Sequence, residues 1–244
     1  MFRSPRGALI AVSAAVVLSP LASPGLARVE AAGVSVTPDP LGLIVPAPAP
    51  PASPPVPAPL TDPARPLNAP PFPVPLHLRL PTLDVSADVL AVGLNGRGQM
   101  DAPRGAPSDP VWSQVFWYRG GATPGAPGVA TVAGHADDSL GRPAVFAHLA
   151  GLHPGDSIEM LDKRTGRIMR FHVTQTALYS VGEAGSPVVA GRIFGTSAAS
   201  GPALLNLITC AGDWQNGDYA KRLVVYAVRD SAMVVPPPRP LLSL

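Results

Sequence analysis

The sequence contains a single cysteine, Cys210, in 244 residues, so no disulfide can form within the chain. A lone thiol needs a reason to persist in a protein exported to oxidising surroundings, where pairing or damage is favoured. One interpretation is a buried, inert Cys that packs as a small hydrophobic residue, and the other is a reactive thiol. Composition alone favours the inert one, so the position of Cys210 in the chain has to decide between them.

Charged residues are also scarce, at 14% of the chain. Between Leu76 and Asp230, 13 Lys and Arg stand against 13 Asp and Glu, and the positive surplus lies at the two ends of the chain. The sequence therefore has no basic stripe that would neutralise phosphates. We expect no nucleic acid among the partners of this protein.

Proline is abundant instead, with 33 residues, whereas the usual level is about 5%. Sixteen of them fall in Pro38–Pro75, where a fixed φ and the missing amide donor exclude helix and sheet. The composition predicts a linker over residues 28–75, either a semi-rigid polyproline II stalk or a disordered tether. Residues 231–244 have the same Pro-rich character and are expected to form a tail.

The N-terminal segment has the pattern of an export signal. Arg3 and Arg6 precede the uncharged run Gly7–Ala27, which orients the N-terminus towards the cytoplasm. The run is nearly long enough to span a bilayer core of about 30 Å, although Pro20 and Pro24 interrupt its second half. Residues 1–27 are expected to be a cleaved signal or, preferably, an uncleaved membrane anchor, with the rest of the protein outside the membrane.

Residues 76–230 are expected to form one folded domain. Their apolar runs are short, alternate as strands do and are separated by turn residues, and only Ala144–Leu152 has helical spacing. The pattern predicts an all-β fold, a closed or nearly closed β-barrel of seven or eight strands with a few short helices. The runs expected to be strands are 76–83, 85–94, 128–134, 156–162, 168–179, 203–210 and 223–228.

Three side chains in this domain are candidates for catalysis. Cys210 ends the run Leu204–Cys210 and is followed by Ala211–Trp214, read as a loop; a strand end is a common mount for a reactive side chain. His135 ends another such run, and Arg222 begins the strand expected to pair with that of Cys210. A cationic partner favours the thiolate, so this combination favours a nucleophile.

The segments around these residues resemble the sortase family. Ile208-Thr209-Cys210, preceded by Asn206-Leu207, is similar to the signature Thr-Leu-x-Thr-Cys, with Asn206 in place of the first Thr. Ala133-Gly134-His135 resembles the segment carrying the family's histidine, and Tyr219–Ala227 the one carrying its arginine. The resemblance covers about residues 76–228, and Cys-Ala-Gly-Asp-Trp after the nucleophile is most similar to actinobacterial class F, with class E second.

The resemblance implies a sortase-like barrel that acts as a cysteine transpeptidase. In such an enzyme Cys210 would attack the Thr–Gly amide of a Leu-Pro-x-Thr-Gly-like sorting signal and form a thioacyl intermediate. His135, as imidazolium, would protonate the leaving amine, and Arg222 would stabilise the oxyanion. Thr209 and Ala133 would contact the substrate.

The resemblance also implies the partners and the location of the protein. The partners would be surface proteins that bear a C-terminal sorting signal and an amine of a cell-wall precursor or pilin. The protein would act on the extracellular face of the cell membrane, held there by its N-terminal segment, without a cofactor. Wall anchoring and pilus assembly, and a dependence on Ca²⁺, stay open.

Other interpretations of the same residues are weaker. An exported, inactive sortase-like barrel that serves as a binding module or scaffold would fit the stalk and anchor equally well. A metal site at His135, Asp137 and Asp138 rests on a short cluster only, and we expect no metal. A cysteine L,D-transpeptidase would place its His close to Cys, whereas 75 positions separate His135 from Cys210 here.

Overall fold

The computed structural model of the chain describes residues 59–62, 64–196, 198–215 and 217–230. The expected signal or anchor, most of the linker and the Pro-rich tail lie outside these residues. Within them, no helix combines the length and the apolar character that a membrane span requires.

Eight strands close into a barrel in the order β1-β2-β3-β4-β7-β8-β6-β5, which confirms the predicted all-β fold with a few short helices. Two neighbouring pairs, β2 with β3 and β4 with β7, are parallel, and the other pairs are antiparallel. The strands are β1 Phe72–Leu80, β2 Val85–Val92, β3 Val115–Tyr118, β4 Gly128–Ala133, β5 Ser157–Asp162, β6 Arg167–Ser180, β7 Ala203–Gln215 and β8 Asp218–Arg229.

The core fills the interior of the barrel. Alternate residues of each strand point to opposite faces, so Leu76, Leu78 and Leu80 of β1 face inward together and are fully buried. Trp117 and Phe171 meet them from β3 and β6. Each such side chain contributes roughly 1.5–3 kcal/mol on burial, and together they hold the strand register on which the site depends.

Two short helices, α1 Val181–Ala184 and α2 Pro187–Ile193, lie in the connection between β6 and β7. The last turn of α2 is tied to the barrel, because Asn206 Nδ2 donates to the carbonyls of Arg192 and Ile193 at 2.9 and 2.8 Å. Asn206 is almost fully buried. An amide can donate two such bonds where a Thr hydroxyl has one proton, which gives the departure from the sortase signature a structural reason.

Several elements differ from the sequence-based expectation. The strand β3 was not predicted, and Ala144–Leu152 contains only a single 3₁₀ turn, Leu149–Gly151, in place of a helix. The first strand begins at Phe72, four residues before the expected start of the domain at Leu76.

Residues ahead of β1 are held against the barrel by one side chain. The guanidinium of Arg119, just after β3, donates to the carbonyls of Arg65, Pro66, Leu67 and Ala69 at 3.0–3.3 Å. Backbone pairing of Leu94 N with the Leu67 carbonyl at 2.8 Å adds to this contact. The folded unit therefore extends into the C-terminal end of the proline-rich segment.

Replacing Arg119 with Met tests this contact. We expect the free energy of unfolding to fall by about 2–3 kcal/mol, since hydrogen bonds from a charged group are lost and the carbonyls of Arg65 and Ala69 lose this donor. Arg79→Met is the matched control, because Arg79 is exposed and its nearest ion-pair distance is 3.9 Å, an interaction of almost no net value. Equal urea midpoints for the two variants would contradict the assignment.

Candidate active site

Strand register brings the three candidate residues into one row. In the parallel pair β4–β7, Ala133 is opposite Ile208, so His135 and Cys210, each two residues further on, leave the pair at the same end. In the antiparallel pair β7–β8, Cys210 is directly opposite Arg222. Neighbouring strands are about 4.8 Å apart. The row His135–Cys210–Arg222 therefore lies across three adjacent strands at one end of the barrel.

Cys210 does not end its strand, contrary to the expectation that Ala211–Trp214 is a loop. β7 continues to Gln215 and pairs with the start of β8 as an exposed two-stranded ribbon. The register shifts between Ala211 and Trp214, where Gly212 has a φ of +79°, a conformation that glycine adopts without strain. This irregularity separates the buried part of β7 from the ribbon and leaves Cys210 half-buried at the junction.

His135 lies in an aromatic environment with one ring nitrogen fixed. Its ring packs at 4.8 Å from Trp112 and 5.2 Å from Phe116, measured between ring centroids. Nε2 lies 2.8 Å from the carbonyl oxygen of Pro103. Because a carbonyl only accepts, Nε2 carries the hydrogen, and Nδ1 is the nitrogen left to exchange a proton.

The backbone beside His135 approaches a neighbouring ring closely. A Cβ on Gly134 would lie 2.5 Å from the Phe146 ring, so only glycine fits before His135. The Phe146 amide in turn donates to the His135 carbonyl at 2.9 Å. These contacts fix the backbone that carries the imidazole.

Arg222 is oriented by groups of its own hairpin. Nη2 donates to Asp218 Oδ2 at 2.6 Å, and Nη1 donates to the carbonyls of Tyr219 and Lys221, both at 2.9 Å. These bonds use three of the five guanidinium protons. Among the residues that the structure describes, Nε–H and the second Nη2–H of Arg222 have no acceptor.

Burial is the largest effect on the pKa of the His135 imidazole. It lowers the pKa of His135 below its usual value, and the charge of Arg104 acts in the same direction. The hydrogen bond to the Pro103 carbonyl and the charge of Asp137 oppose this effect. Neutral imidazole therefore predominates at neutral pH.

The pKa of the Cys210 thiol shifts in the opposite direction. Burial raises the pKa of Cys210, and the carboxylates of Asp218 and Asp137 add to the rise, while Arg222 and Arg104 oppose it. With the unperturbed thiol at about 8.5 and imidazole at about 6.5, these directions move the two groups apart. Thiol with neutral imidazole is the major state, and the thiolate–imidazolium pair is a minor one.

A cavity of about 420 Å³ opens beside Cys210. Asp137 and Tyr219 line it, and the Tyr219 hydroxyl donates to Asp137 Oδ2 at 2.7 Å. Trp214 lies on the exposed ribbon, and its ring packs edge-to-face with that of Tyr219, with 5.1 Å between the ring centroids. The ribbon thus forms one wall of the cavity.

The two residues expected to contact substrate have structural roles as well. Thr209 lines the cavity, but its hydroxyl donates to the Gly134 carbonyl at 2.9 Å and so ties β7 to β4. Ala133 is half-buried and packs between two apolar clusters on the outer face of the barrel, one containing Phe116 and the other Ile208. Contact of either residue with a substrate remains a prediction.

Sequence reasoning missed four residues of the site: Arg104, Asp218, Tyr219 and Asp137 in its role beside His135. The only available signal was that three of them lie within four positions of His135 or Arg222. Asp138, grouped with His135 and Asp137 as a weak metal cluster, instead accepts from the amides of Leu140 and Arg142 and from Arg142 Nε. Among the described residues no group of three or more potential ligands is arranged to hold a metal ion.

The alkylation of Cys210 by iodoacetamide tests these charges. We expect the rate to rise with pH to beyond the ordinary thiol range, since burial disfavours the thiolate. Asp218→Asn should move the curve to lower pH and Arg222→Ala to higher pH, because they remove charges of opposite sign. Asp84→Asn, an exposed carboxylate away from the site, is the control. Identical curves for all four proteins would contradict the arrangement.

Comparison with known proteins identifies the family of the chain. The sortase domain model matches residues 78–230, well over half of the chain. The chain therefore belongs to the sortase family. No curated protein matches the sequence.

Solved sortase structures resemble the barrel at low sequence identity. Sortase A from Corynebacterium diphtheriae is 16% identical with a TM-score of 0.46, over 68% of this chain and 64% of that one. Sortase C-1 from Actinomyces oris is 20% identical with a TM-score of 0.47, over 66% and 74%. Sortase C-1 from Streptococcus pneumoniae is 20% identical with a TM-score of 0.44, over 64% and 66%. The chain thus spans less than two thirds of the corynebacterial enzyme.

Proposed function

We propose that the protein is a cysteine transpeptidase that cleaves a Leu-Pro-x-Thr-Gly-like sorting signal and transfers the released protein to an amine. The observation that carries this proposal is the row His135–Cys210–Arg222 across three adjacent strands, in which Cys210 lines an open cavity. A thiol, an imidazole and a fixed guanidinium can serve as nucleophile, proton carrier and oxyanion donor in acyl transfer through a thioester.

The first half of the reaction forms the thioacyl intermediate. The Cys210 thiolate attacks the Thr carbonyl carbon, and the oxyanion that develops accepts hydrogen bonds from the free N–H groups of Arg222. As the carbon–nitrogen bond breaks, imidazolium Nδ1 of His135 gives its proton to the leaving Gly amine. Only the minor thiolate–imidazolium state is competent, so the rate follows its population.

The second half reverses these roles. An amine attacks the thioester carbonyl, passes a proton to Nδ1 of His135, and displaces Cys210 as a thiolate. The enzyme returns to its starting protonation state, and no cofactor is consumed. The amine would belong to a cell-wall precursor or to a pilin.

The sequence after the nucleophile supports class F, with class E second. We expect the enzyme to act at the extracellular face of the membrane, attached through its N-terminal segment if that segment is not cleaved. Its protein partners would be surface proteins with a C-terminal sorting signal.

Cys210→Ala tests the nucleophile. We expect transfer of a Leu-Pro-x-Thr-Gly peptide to an amine, followed by mass spectrometry, to disappear, because no thioester can form. The melting temperature should stay close to that of the wild type, since the side chain is half-buried and small. A variant that still cleaves at the wild-type rate would sink the assignment.

Arg222→Ala separates transition-state stabilisation from substrate binding. We expect kcat to fall about 10²-fold, as on loss of an oxyanion donor, with a much smaller change in KM. Lys221→Ala is the matched control on the same strand, because its side chain is exposed. An unchanged kcat would remove Arg222 from the mechanism.

A panel of sorting-signal peptides and amines would distinguish the enzyme from its alternative, an inactive scaffold barrel. If the protein were an inactive scaffold, we would expect its thiol to be inaccessible. Cys210 is instead half-buried and lines a cavity. Glycine peptides and lysine side chains should be offered as separate acceptors. Reaction with one class identifies wall anchoring or pilus assembly, and reaction with neither favours the scaffold.

A further inference from the structure

Asp137 is a carboxylate beside the reacting pair that the proposed mechanism does not use. It lies two residues after His135 and lines the Cys210 cavity. Two other carboxylates nearby are paired, Asp218 with Arg222 and Asp138 with Arg142. In the described part of the chain, Asp137 forms no ion pair, and its hydrogen-bond donor is the neutral hydroxyl of Tyr219 at 2.7 Å.

The position of Asp137 is fixed from its own segment. Its backbone forms an antiparallel bridge with Pro143. On either side of that bridge, Ala144 N donates to the Ala136 carbonyl at 3.0 Å and Asp138 N donates to the Arg142 carbonyl at 2.9 Å. The segment that follows His135 is therefore a closed turn, and its backbone cannot drift away from the imidazole without breaking these bonds.

The side chain of Asp137 is fixed from the opposite wall. Tyr219 lies at the base of the β7–β8 ribbon, and the edge contact with Trp214 at 5.1 Å holds its ring. The hydrogen bond to Asp137, together with burial, raises the pKa of Tyr219 to about 12. The phenol therefore stays a proton donor to the carboxylate over the working pH range and adds no second negative charge.

The charge of Asp137 is the smallest of four effects on the protonation of His135, which lies two residues before it in the chain. Burial and Arg104 disfavour the imidazolium, and the Pro103 carbonyl and Asp137 favour it. Of the residues that affect the pKa of His135, Asp137 is the one that carries a negative charge. The same charge disfavours the Cys210 thiolate, as Asp218 does, against Arg222 and Arg104.

We propose that Asp137, anchored by the hydroxyl of Tyr219, is a positioning residue that holds a negative charge against His135 and so maintains the imidazolium needed to protonate the leaving amine. The assignment rests on the proposed transpeptidase function. The carboxylate raises the pKa of both the imidazole and the thiol. It therefore shifts the pH range of the reaction more than it changes the maximum rate.

The test compares Asp137→Asn, Tyr219→Phe and the control Asp84→Asn in kcat/KM from pH 5 to 10, with a Leu-Pro-x-Thr-Gly peptide and an amine acceptor. Both limbs of the Asp137→Asn profile should move to lower pH with a similar maximum. The ratio of variant to wild type should therefore rise about two- to three-fold in acid and fall by a similar factor in alkali. Tyr219→Phe should move in the same direction by less, and the control should match wild type.

Two readouts without turnover keep this test separate from the proposed function. The imidazole of His135 can be titrated by NMR, with assignment by the missing signal in His135→Gln, and Cys210 can be alkylated across pH. In Asp137→Asn both titrations should move to lower pH. A uniform loss of rate with unchanged titrations would overturn the proposal and leave Asp137 a structural residue. Shifted titrations in a wild-type protein that transfers no peptide would overturn the transpeptidase role while supporting the interaction of Asp137 with His135.

Discussion

The alignment of β4, β7 and β8 is the constraint on which the site depends. A parallel pair carries His135 and Cys210 out of the sheet at the same end, and an antiparallel pair sets Arg222 opposite Cys210. A slip of one residue in either pair would turn a side chain to the other face of the sheet. The core side chains that prevent such a slip therefore support the chemistry without contacting it.

Building the site into a barrel end has an electrostatic cost. Burial disfavours both the thiolate and the imidazolium, so the ground state is neutral. Different surrounding charges oppose the effect of burial on each group. Arg222 favours the thiolate of Cys210, and Asp137 favours the imidazolium of His135. Asp218, which pairs with Arg222, acts against the thiolate, so the two charges of this pair have opposite effects on Cys210.

The sequence predicted the barrel and the row of three residues, because both depend on local patterns. Alternating apolar residues marked most strands, and short motifs marked Cys210, His135 and Arg222. The strand β3 was missed because Val115–Tyr118 is only four residues long and mostly buried, so it shows no clear alternation. The ribbon beyond Cys210 was read as a loop because its residues are exposed and include Gly212.

The contacts between distant segments were beyond sequence reasoning. The hydroxyl of Tyr219 meets Asp137 across 82 positions, and the Pro103 carbonyl fixes the tautomer of His135 across 32. Neither pair has a sequence signature, because each depends on where two distant segments of the barrel converge. Asn206 is visible in the sequence as a departure from the motif, but the sequence does not explain it. The explanation is structural, because its amide binds two carbonyls of α2.

The hydrogen bonds from Arg119 to carbonyls of residues 65–69 also determine where a mechanical load on the chain would enter the barrel. Tension drawn through the polypeptide from its N-terminal side would reach this cluster of hydrogen bonds before it reached β1. The force would then pass into β3 and its partner β4, which leads to His135, whereas β7 and β8 lie further round the closed sheet. Cys210 and Arg222 are therefore shielded from such a load by the strands that lie between them and Arg119.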